Sequence, residues 1–407
     1  MFYINYDVIF VSGAKNAAIY NLVTGRVYSL NHDARKAIID LIHNQIDGTE
    51  TTLNIISELT KTGLISDDFK PFHVPTKEQS ECNLRCAWLE LTPSCNLRCI
   101  HCYSNTSSHN SENTLSTFEW QDVIEQLSLI GCEEIRFIGG EPTLYPDLVA
   151  LIEKAIKLNI KIKLYTNGTY FPNNLLHSLH VYNVAVQVSI YGHTSKIHDS
   201  ITGVSGSLKK LESNIKLMLD LGIKLTCKIV VMKNNEDYIN EINRYLSSFN
   251  PSLLPIASYD IIRPTNCESD NKYIPTKAEV INSSYLTKPS FNISKKRFFD
   301  AIRHNTCWYR KLAIKSYGDI IPCIFERNAV ISNVRKQKIA DIINSEDIKS
   351  YWNLDFSQIE NCKDCEFRFA CKDCRPLTKA TTNNCFAQNP RCLYDPHIGE
   401  WKSLEIK

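Results

Sequence analysis

Two different rhythms of apolar residues run along the chain. From residue 87 onward, short β-branched stretches alternate with amphipathic helical ones: WLELT (88–92), FEWQDVIEQLSLIG (118–131), EIRFIGG (134–140), DLVALIEKAIKLN (147–159), IKIKLYTNG (160–168), NVAVQVSIYG (183–192), LKKLESNIKLMLDLG (208–222) and IKLTCKIVVMKN (223–234). This alternation predicts a parallel sheet wrapped by helices, with functional loops at the carboxyl ends of the strands. The N-terminal rhythm is shorter. Within residues 6–30, DVIFVSG, NAAIYNL and RVYSL predict three strands, the last two joined across VTG. Asn31 is a good helix cap before HDARKAIIDLIHN, and TTLNIISELTKTGLI repeats the helical spacing. Strands followed by helices suggest a small winged-helix-like unit. Residues 67–81 are polar and read as a linker, and after about residue 290 the rhythm stops in a cysteine-dense segment. The expected division is therefore 1–75, 87–290 and 291–407.

Composition narrows the class. A chain of 407 residues with 43% hydrophobic content has room for two or three ordinary globular domains. The formal net charge of +2, with no Lys/Arg block, argues against a nucleic-acid binder and favours a small-molecule or peptide substrate. No apolar run is long enough for a membrane span, and MFYINYDVIF lacks the basic start and cleavage site of a signal peptide. A cytoplasmic protein with no membrane partner is expected. In that reducing compartment, sixteen cysteines point to metal or thiolate chemistry rather than disulfides. Five of them fall between Cys82 and Cys102, three stand apart at Cys132, Cys227 and Cys267, and eight lie between Cys307 and Cys392.

The pentapeptide CNLRC occurs twice, at 82–86 and 95–99. The second copy continues to a third cysteine, so that Cys95, Cys99 and Cys102 form CxxxCxxC directly after WLELT; the first copy runs into that strand at Leu89. Three soft thiolates on one loop can hold three irons of a 4Fe–4S cluster and leave the fourth open to a cofactor.

These residues resemble the cluster loop of radical S-adenosylmethionine (SAM) enzymes, through Cys95-Asn-Leu-Arg-Cys99-Ile-His-Cys102-Tyr103. Gly139-Gly140-Glu141-Pro142, after EIRFI, resembles that family's motif for the SAM amino group; TNGT (166–169), VSIYG (188–192) and ITGVSGS (201–207) also recur in it. The resemblance implies an α/β fold, a partial (β/α)6 TIM-like barrel, with Tyr103 and the Gly139–Pro142 motif around SAM. It further implies that Glu141 and nearby backbone hold the methionyl amine and that Asn167 and Ser189 lie near the ribose. An electron from the cluster would cleave SAM to a 5′-deoxyadenosyl radical, and the protein would aim that radical at one substrate hydrogen.

The C-terminal cysteines resemble a SPASM domain, which carries auxiliary iron–sulfur clusters in peptide- and protein-modifying enzymes. The pattern is Cys307, ten residues, Gly318, four residues and Cys323, then Cys362-x2-Cys365-x5-Cys371-x2-Cys374, Cys385 and Cys392. The last pair has two intervening residues where three are usual. CKDCEFRFACKDCRP and RCLYDPHIGEW are similar to maturases that install thioether crosslinks in ribosomally made peptides, the ranthipeptide maturases, which share that variant. By resemblance, Cys307, Cys323 and Cys374 serve one auxiliary cluster, either fully ligated or with an open iron. Cys362, Cys365, Cys371 and Cys392 serve the other, for three 4Fe–4S clusters in all. Cys392 is preferred to Cys385 because LYDP follows it. Structural zinc is the competing use of CxxC pairs. Cys82 and Cys86 read as a chance echo, and Cys132, Cys227 and Cys267 as packed thiols.

The N-terminal AAIYNLVTGRVYSLN resembles the start of winged-helix leader-peptide recognition domains, which implies binding of an extended leader as an added strand. The combined expectation is a SAM-dependent maturase. It would act on a ribosomal precursor peptide with a leader, draw electrons from a donor such as flavodoxin or ferredoxin, and join a cysteine sulfur to carbon. Two alternatives stand beside it: a sulfatase-maturating-type oxidation of Cys or Ser, and a non-enzymatic iron–sulfur module that binds a leader for a partner.

Overall fold

The computed structural model describes residues 3–4, 7–43, 45–66, 84–104, 113–249, 258–261 and 272–402. The expected linker at 67–81, together with Cys82 and Cys267, lies outside these residues. The chain forms two compact units that interleave in sequence: residues 1–80, 286–309 and 352–407 make one, and residues 81–285 and 310–351 make the other. This grouping differs from the division at 75, 87 and 290, because residues 310–351 join the sheet-and-helix unit.

In the first unit, β1 (Tyr3–Ile4) precedes an antiparallel sheet of β2 (Val8–Ser12), β3 (Ala17–Asn21) and β4 (Val27–Leu30). Helices His32–Ile42 and Glu50–Lys61 follow, and β5 (Ile65–Ser66) returns to pair with β1. Both helices start where the sequence supplies a cap: the Asn31 and Thr49 side chains accept hydrogen bonds from the amides of Ala34 and Thr52. The β3–β4 turn closes at Gly25, whose φ of +76° favours a residue without Cβ.

Strand β3 is buried at Ala17, Ala18, Ile19 and Tyr20 alike, because both of its faces are covered. Ala17 and Ile19 join a core with Ile38, Leu41, Ile56 and Leu59 of the two helices. Ala18 and Tyr20 join another with Phe298, Phe367, Ala370 and Tyr394, and the Tyr20 hydroxyl donates to the Glu366 carbonyl at 2.9 Å. Each Ile, Leu or Phe among them contributes roughly 1.5–3 kcal/mol on burial. One short strand thus ties the N-terminal sheet to the cysteine-rich segment.

The second unit is built on a nine-stranded sheet. Six strands lie side by side and parallel in chain order: β6 (Cys86–Glu90), β7 (Glu134–Ile138), β8 (Lys161–Thr166), β9 (Ala185–Ile190), β10 (Leu225–Val231) and β11 (Ser258–Ile261). Helices Thr117–Leu129, Leu148–Lys157, Asn173–Val181, Ser207–Asp220 and Ile239–Ser247 connect them. One sheet face is fully buried, with Leu89, Phe137, Leu164, Val188 and Ile229 at 0% exposure. The other face carries Trp88, Arg136, Lys163 and Gln187, which are half-buried. This period-two alternation is what places a set of polar groups inside a curved sheet while the helices cover its outside.

The expected α/β architecture is therefore present, and the sheet is longer than the sequence rhythm suggested. On the outer edge of β6, β12 (Lys311–Ile314) pairs in parallel, followed by antiparallel β13 (Asp319–Ile321) and β14 (Ser332–Asn333). KLAI is only four residues long, too short to show a period. No described helix is long and apolar enough to cross a membrane.

Candidate active site

The loop after β6 carries Cys95, Cys99 and Cys102, and the fold holds it from three sides. Beneath it, the Gly140 amide donates to the Thr92 carbonyl at 2.7 Å and the Glu141 amide to the Ser94 carbonyl at 2.8 Å. A Cβ on Gly140 would stand 2.3 Å from the Ser94 oxygen, and one on Gly139 would stand 2.7 Å from the Thr92 oxygen, so the glycine pair is required by the approach of this loop. From the β9 side, Arg98 and Ile100 donate their amides to the carbonyls of Thr202 and Ile201. Gly203 meets Arg98 so closely that a Cβ would stand 2.7 Å from the Arg98 carbonyl. The ITGVSGS stretch thereby acquires a local purpose, and its Asp199 carboxylate receives the Gly206 and Leu208 amides and the Ser207 hydroxyl at the start of the next helix.

From the β8 side, the Asn167 side chain donates to Asn96 Oδ1 at 2.8 Å and reaches Cys95 Sγ at 3.9 Å, while Asn96 donates to Thr169 Oγ1 at 2.9 Å. Asn167 and the TNGT motif therefore touch the cysteine loop itself. Burial pushes the Cys95 thiol up to about 11 and the Cys99 thiol to about 12, with Cys102 adding to both and Cys95 to the second. Thiols that resist losing a proton to water become thiolates when a cation takes the proton's place. This crowded soft-donor set fits an iron cluster. Among the described residues, no three His, Cys, Asp or Glu side chains close to the spacing of a single metal ion.

Glu141 is 1% exposed, and its carboxylate accepts four hydrogen bonds. They come from the Thr143 amide (3.1 Å), the Thr143 hydroxyl (2.7 Å), the Thr166 hydroxyl (2.6 Å) and the Asn167 amide (2.7 Å). A carboxylate has about four acceptor positions. The side chain thus locks the loop after β7 to the loop after β8, a positioning role that the motif alone did not disclose. Pro142 opens the single 3-10 turn Pro142–Leu144 beside it.

Ser189 lies on the half-buried face of β9, in register with Lys228 of β10. Tyr191, just beyond the end of β9, is 7% exposed and packs with Cys99, Ile100, Ile201 and Met232. Its ring sits 4.8 Å from that of His101 and 5.5 Å from that of His198. Tyr103 packs at a tilt against Phe325, with ring centroids 5.2 Å apart, under the guanidinium of Arg327, which forms a two-pronged pair with buried Glu90 at 2.7 and 3.2 Å. Cys323 belongs to this same cluster with Ile138, Trp88 and Tyr165.

In the first unit, Cys362, Cys365, Cys371 and Cys392 line one cavity with Phe367 and Tyr394. Burial, then Asp373 and Cys392, push the Cys362 thiol up to about 12, and Cys365 and Cys371 are raised by burial and by the other sulfurs of this group. Cys385 is outside the cavity lining; its backbone carbonyl accepts from Arg375 at 2.9 Å. Arg375 is fully buried and paired with Asp373 through two contacts, at 2.5 and 2.7 Å. Asn305 donates to Asp373 at 2.7 Å and accepts from the Cys307 amide at 2.9 Å, and the Cys374 amide donates to Asp373 at 2.7 Å. Cys307 and Cys374 therefore share one polar knot, whereas Cys323 belongs to the other compact unit. No disulfide joins the described cysteines, and Cys86, Cys132 and Cys227 are buried.

Comparison with known proteins agrees with this geometry. Residues 89–246 match the model of the radical SAM superfamily, and residues 307–366 match that of the iron–sulfur cluster-binding SPASM domain. The subtilosin biosynthesis protein AlbA of Bacillus subtilis is 26% identical over 302 residues, which cover 71% of this chain and 66% of AlbA. An AdoMet-dependent heme synthase of Methanosarcina barkeri is 23% identical, over 76% of this chain and 96% of that protein. Among solved structures, Streptococcus suis SuiB bound to its precursor peptide SuiA superposes with a TM-score of 0.58 at 15% identity, over 96% of this chain and 99% of that one, a likeness of fold. From the cysteine loop, the sheet that carries it and these matches, residues 89–246 are a radical SAM domain and residues 307–366 a SPASM iron–sulfur domain.

Proposed function

We propose that this protein is a peptide-modifying radical SAM enzyme that crosslinks a ribosomally made precursor, joining a cysteine sulfur to carbon as a thioether. The observation that carries this reading is the convergence of Cys95, Cys99 and Cys102 on a loop pinned by Gly139, Gly140 and Asn167, in a chain that also carries a SPASM domain. In this reading Cys95, Cys99 and Cys102 hold a 4Fe–4S cluster. Tyr103, Gly139, Gly140, Glu141, Pro142, Asn167 and Ser189 surround SAM. When bound, cluster and SAM together supply a 5′-deoxyadenosyl radical, the oxidant that removes a substrate hydrogen.

The protein's own tasks are positional. Glu141 fixes two of the site's loops to each other, and since its carboxylate is already engaged, the nearby backbone is the natural contact for the methionyl amine. The aromatic group Trp88, Tyr103, Tyr165 and Phe325 sets carbon-rich ring faces on the inner sheet face, beside the polar Arg136, Lys163 and Gln187. Such a lining limits water near a reactive radical. Cys307, Cys323 and Cys374 would serve one auxiliary cluster, with an open iron to bind the substrate thiolate and take up the surplus electron. Cys362, Cys365, Cys371 and Cys392 would serve another, and a flavodoxin or ferredoxin would supply reducing equivalents.

The peptide class draws support from the kinship with AlbA and from the likeness of fold to SuiB over 96% of the chain. The sheet of β2, β3 and β4 has the form that can receive an extended leader by strand addition. The test is incubation of reconstituted protein, SAM and reductant with a cysteine-containing precursor encoded beside this gene. A product lighter by two hydrogens, with a cysteine linked to a carbon of another residue in fragmentation spectra, is expected. Cleavage of SAM with oxidation of a lone Cys or Ser instead would assign a sulfatase-maturating type of reaction. Bound zinc and no SAM cleavage would leave a leader-binding module.

A further inference from the structure

The turn between β2 and β3, residues 12–16, is tied to the backbone on both sides of the four-thiol cavity. The Ala14 amide donates to the Asp364 carbonyl at 2.8 Å, between Cys362 and Cys365 in sequence. The Lys15 amide and ammonium donate to the carbonyls of Pro396 (3.2 Å) and Ile398 (2.8 Å), and the Asn16 side chain to that of Gly399 (3.2 Å), all in the stretch that follows Cys392. In return, Arg368 donates to the Ser12 carbonyl at 3.2 Å. Behind the turn, Val11, Ala18 and Tyr20 share one core with Phe367 and Tyr394, and Cys365 and Cys392 pack against it. Gly13 sets the spacing. Its backbone is outside the left-handed region, so only space calls for glycine: a Cβ would stand 2.5 Å from Glu366 Oε2 and 3.0 Å from the Glu366 amide nitrogen. Glu366 has little room to yield, because it is 0% exposed, accepts the Tyr394 hydroxyl on its other carboxylate oxygen and the Tyr20 hydroxyl on its carbonyl.

We infer that the N-terminal sheet is the template that closes the four-thiol site, and that metal held by Cys362, Cys365, Cys371 and Cys392 in turn controls the order of the sheet proposed to receive the leader. This rests on the proposed assignment of those thiols to a 4Fe–4S cluster. The thiols come from two separate segments, and the longer one is built only of single 3-10 turns. Bonds from one turn to both segments hold them at a common distance, which lowers the cost of ordering the ligands. The coupling is reciprocal: whatever the sheet adds to metal affinity, the metal returns to the stability of the sheet. A chain without that metal would hold β2 and β3 loosely and capture an extended peptide poorly, so peptide would be taken up chiefly by protein already equipped to process it.

The test is hydrogen exchange read by mass spectrometry on full-length, anaerobically reconstituted protein, comparing wild type with Cys362→Ala/Cys365→Ala/Cys371→Ala. Amides of residues 8–21 are expected to exchange at least about tenfold faster in the variant, with residues 161–190 of the other unit unchanged. The converse arm follows iron content, and the rate at which a chelator strips it, in Gly13→Ala and in the milder Tyr20→Phe, which keeps the ring and removes its bond to the Glu366 carbonyl. Gly13→Ala should hold about four irons fewer than wild type, and Tyr20→Phe should lose iron severalfold faster. Opening of residues 352–402 with residues 8–21 protected as in wild type would overturn the inference and leave the sheet an independent module, as would wild-type iron retention in both turn variants. Thiol substitutions that remove no iron would instead overturn the cluster assignment itself.

Discussion

Cys95, Cys99 and Cys102 hang from a sheet whose covered face is fully buried. Cys362, Cys365, Cys371 and Cys392 stand among single 3-10 turns, Cys362–Asp364 and Arg368–Ala370, cross-tied by side chains. In the first region the scaffold is apolar and regular, and the thiols are an addition at its edge. In the second, regular structure is short, the buried Arg375–Asp373 pair and Arg375's bonds to the Cys385 and Ala387 carbonyls tie the segment together, and in the proposed reading a cluster on the thiols would hold the rest. The contrast teaches that similar soft-ligand sets can depend on their scaffold or be the scaffold. Cluster loss should therefore have opposite consequences in the two places: lost chemistry in one, lost structure in the other.

The largest expected effect comes from removing the thiols. Cys95→Ala/Cys99→Ala/Cys102→Ala should lower 5′-deoxyadenosine formation by more than about a hundredfold while leaving the denaturation midpoint of the core nearly in place, since the sheet does not rest on that loop. Cys362→Ala/Cys365→Ala/Cys371→Ala should instead open residues 352–402 to limited proteolysis and cost at least about 3 kcal/mol, as loss of a structural metal does. Equal loss of stability in the two variants would break the comparison.

Next comes Arg375→Met. It leaves Asp373 buried without its charge partner and two carbonyls without a donor, at a cost of about 3–5 kcal/mol. Urea denaturation followed in the C-terminal segment checks it, and a change below about 1 kcal/mol would show that the knot is not structural.

A smaller effect is tied to pH in the second unit. Burial pushes His198 down to about 4, with Asp199 opposing, so the fold favours the neutral ring. Its contribution is complete above the ordinary histidine value and is lost as pH falls toward 4. Between pH 7.5 and 5 the loss should be about 2 kcal/mol, and His198→Gln should show a flatter dependence on pH.

The smallest effect belongs to Glu119, which its bond to Arg335 holds at about 2. That stability is present above the usual glutamate range and disappears as pH falls through about 2. The pair is largely exposed, so Arg335→Ala should cost under about 1 kcal/mol, less still at high salt.

Much of this was written in the residue pattern, and the exceptions have physical causes. Strands β6 to β10 and helices Thr117–Leu129, Leu148–Lys157 and Ser207–Asp220 follow apolar rhythms, the shorter Asn173–Val181 and Ile239–Ser247 do not stand out, and Asn31 marks its helix start as a cap should. Strand β11, SYDI, and strand β12, KLAI, are four residues each and take their place by pairing with longer neighbours, an effect that no local pattern can display. The cysteine loop was legible because three thiols at fixed spacing are rare by chance. The engagement of Glu141 with four donors was not legible, because Thr143, Thr166 and Asn167 come together only when two loops meet in space. In sequence the residues after it set Cys392 apart from Cys385, and in the fold the cavity lining includes Cys392 and not Cys385. Tyr191 gave no signal beyond a familiar motif, since its partners lie 90 residues earlier in the loop and 44 residues later at Asn235.

The most direct test of the central claim is iron and sulfide content, together with reductive SAM cleavage, on anaerobically reconstituted wild type and the Cys95→Ala/Cys99→Ala/Cys102→Ala variant. About twelve irons in the wild type, about four fewer in the variant and loss of 5′-deoxyadenosine are predicted. Zinc in place of iron, with no SAM cleavage by either protein, would contradict it.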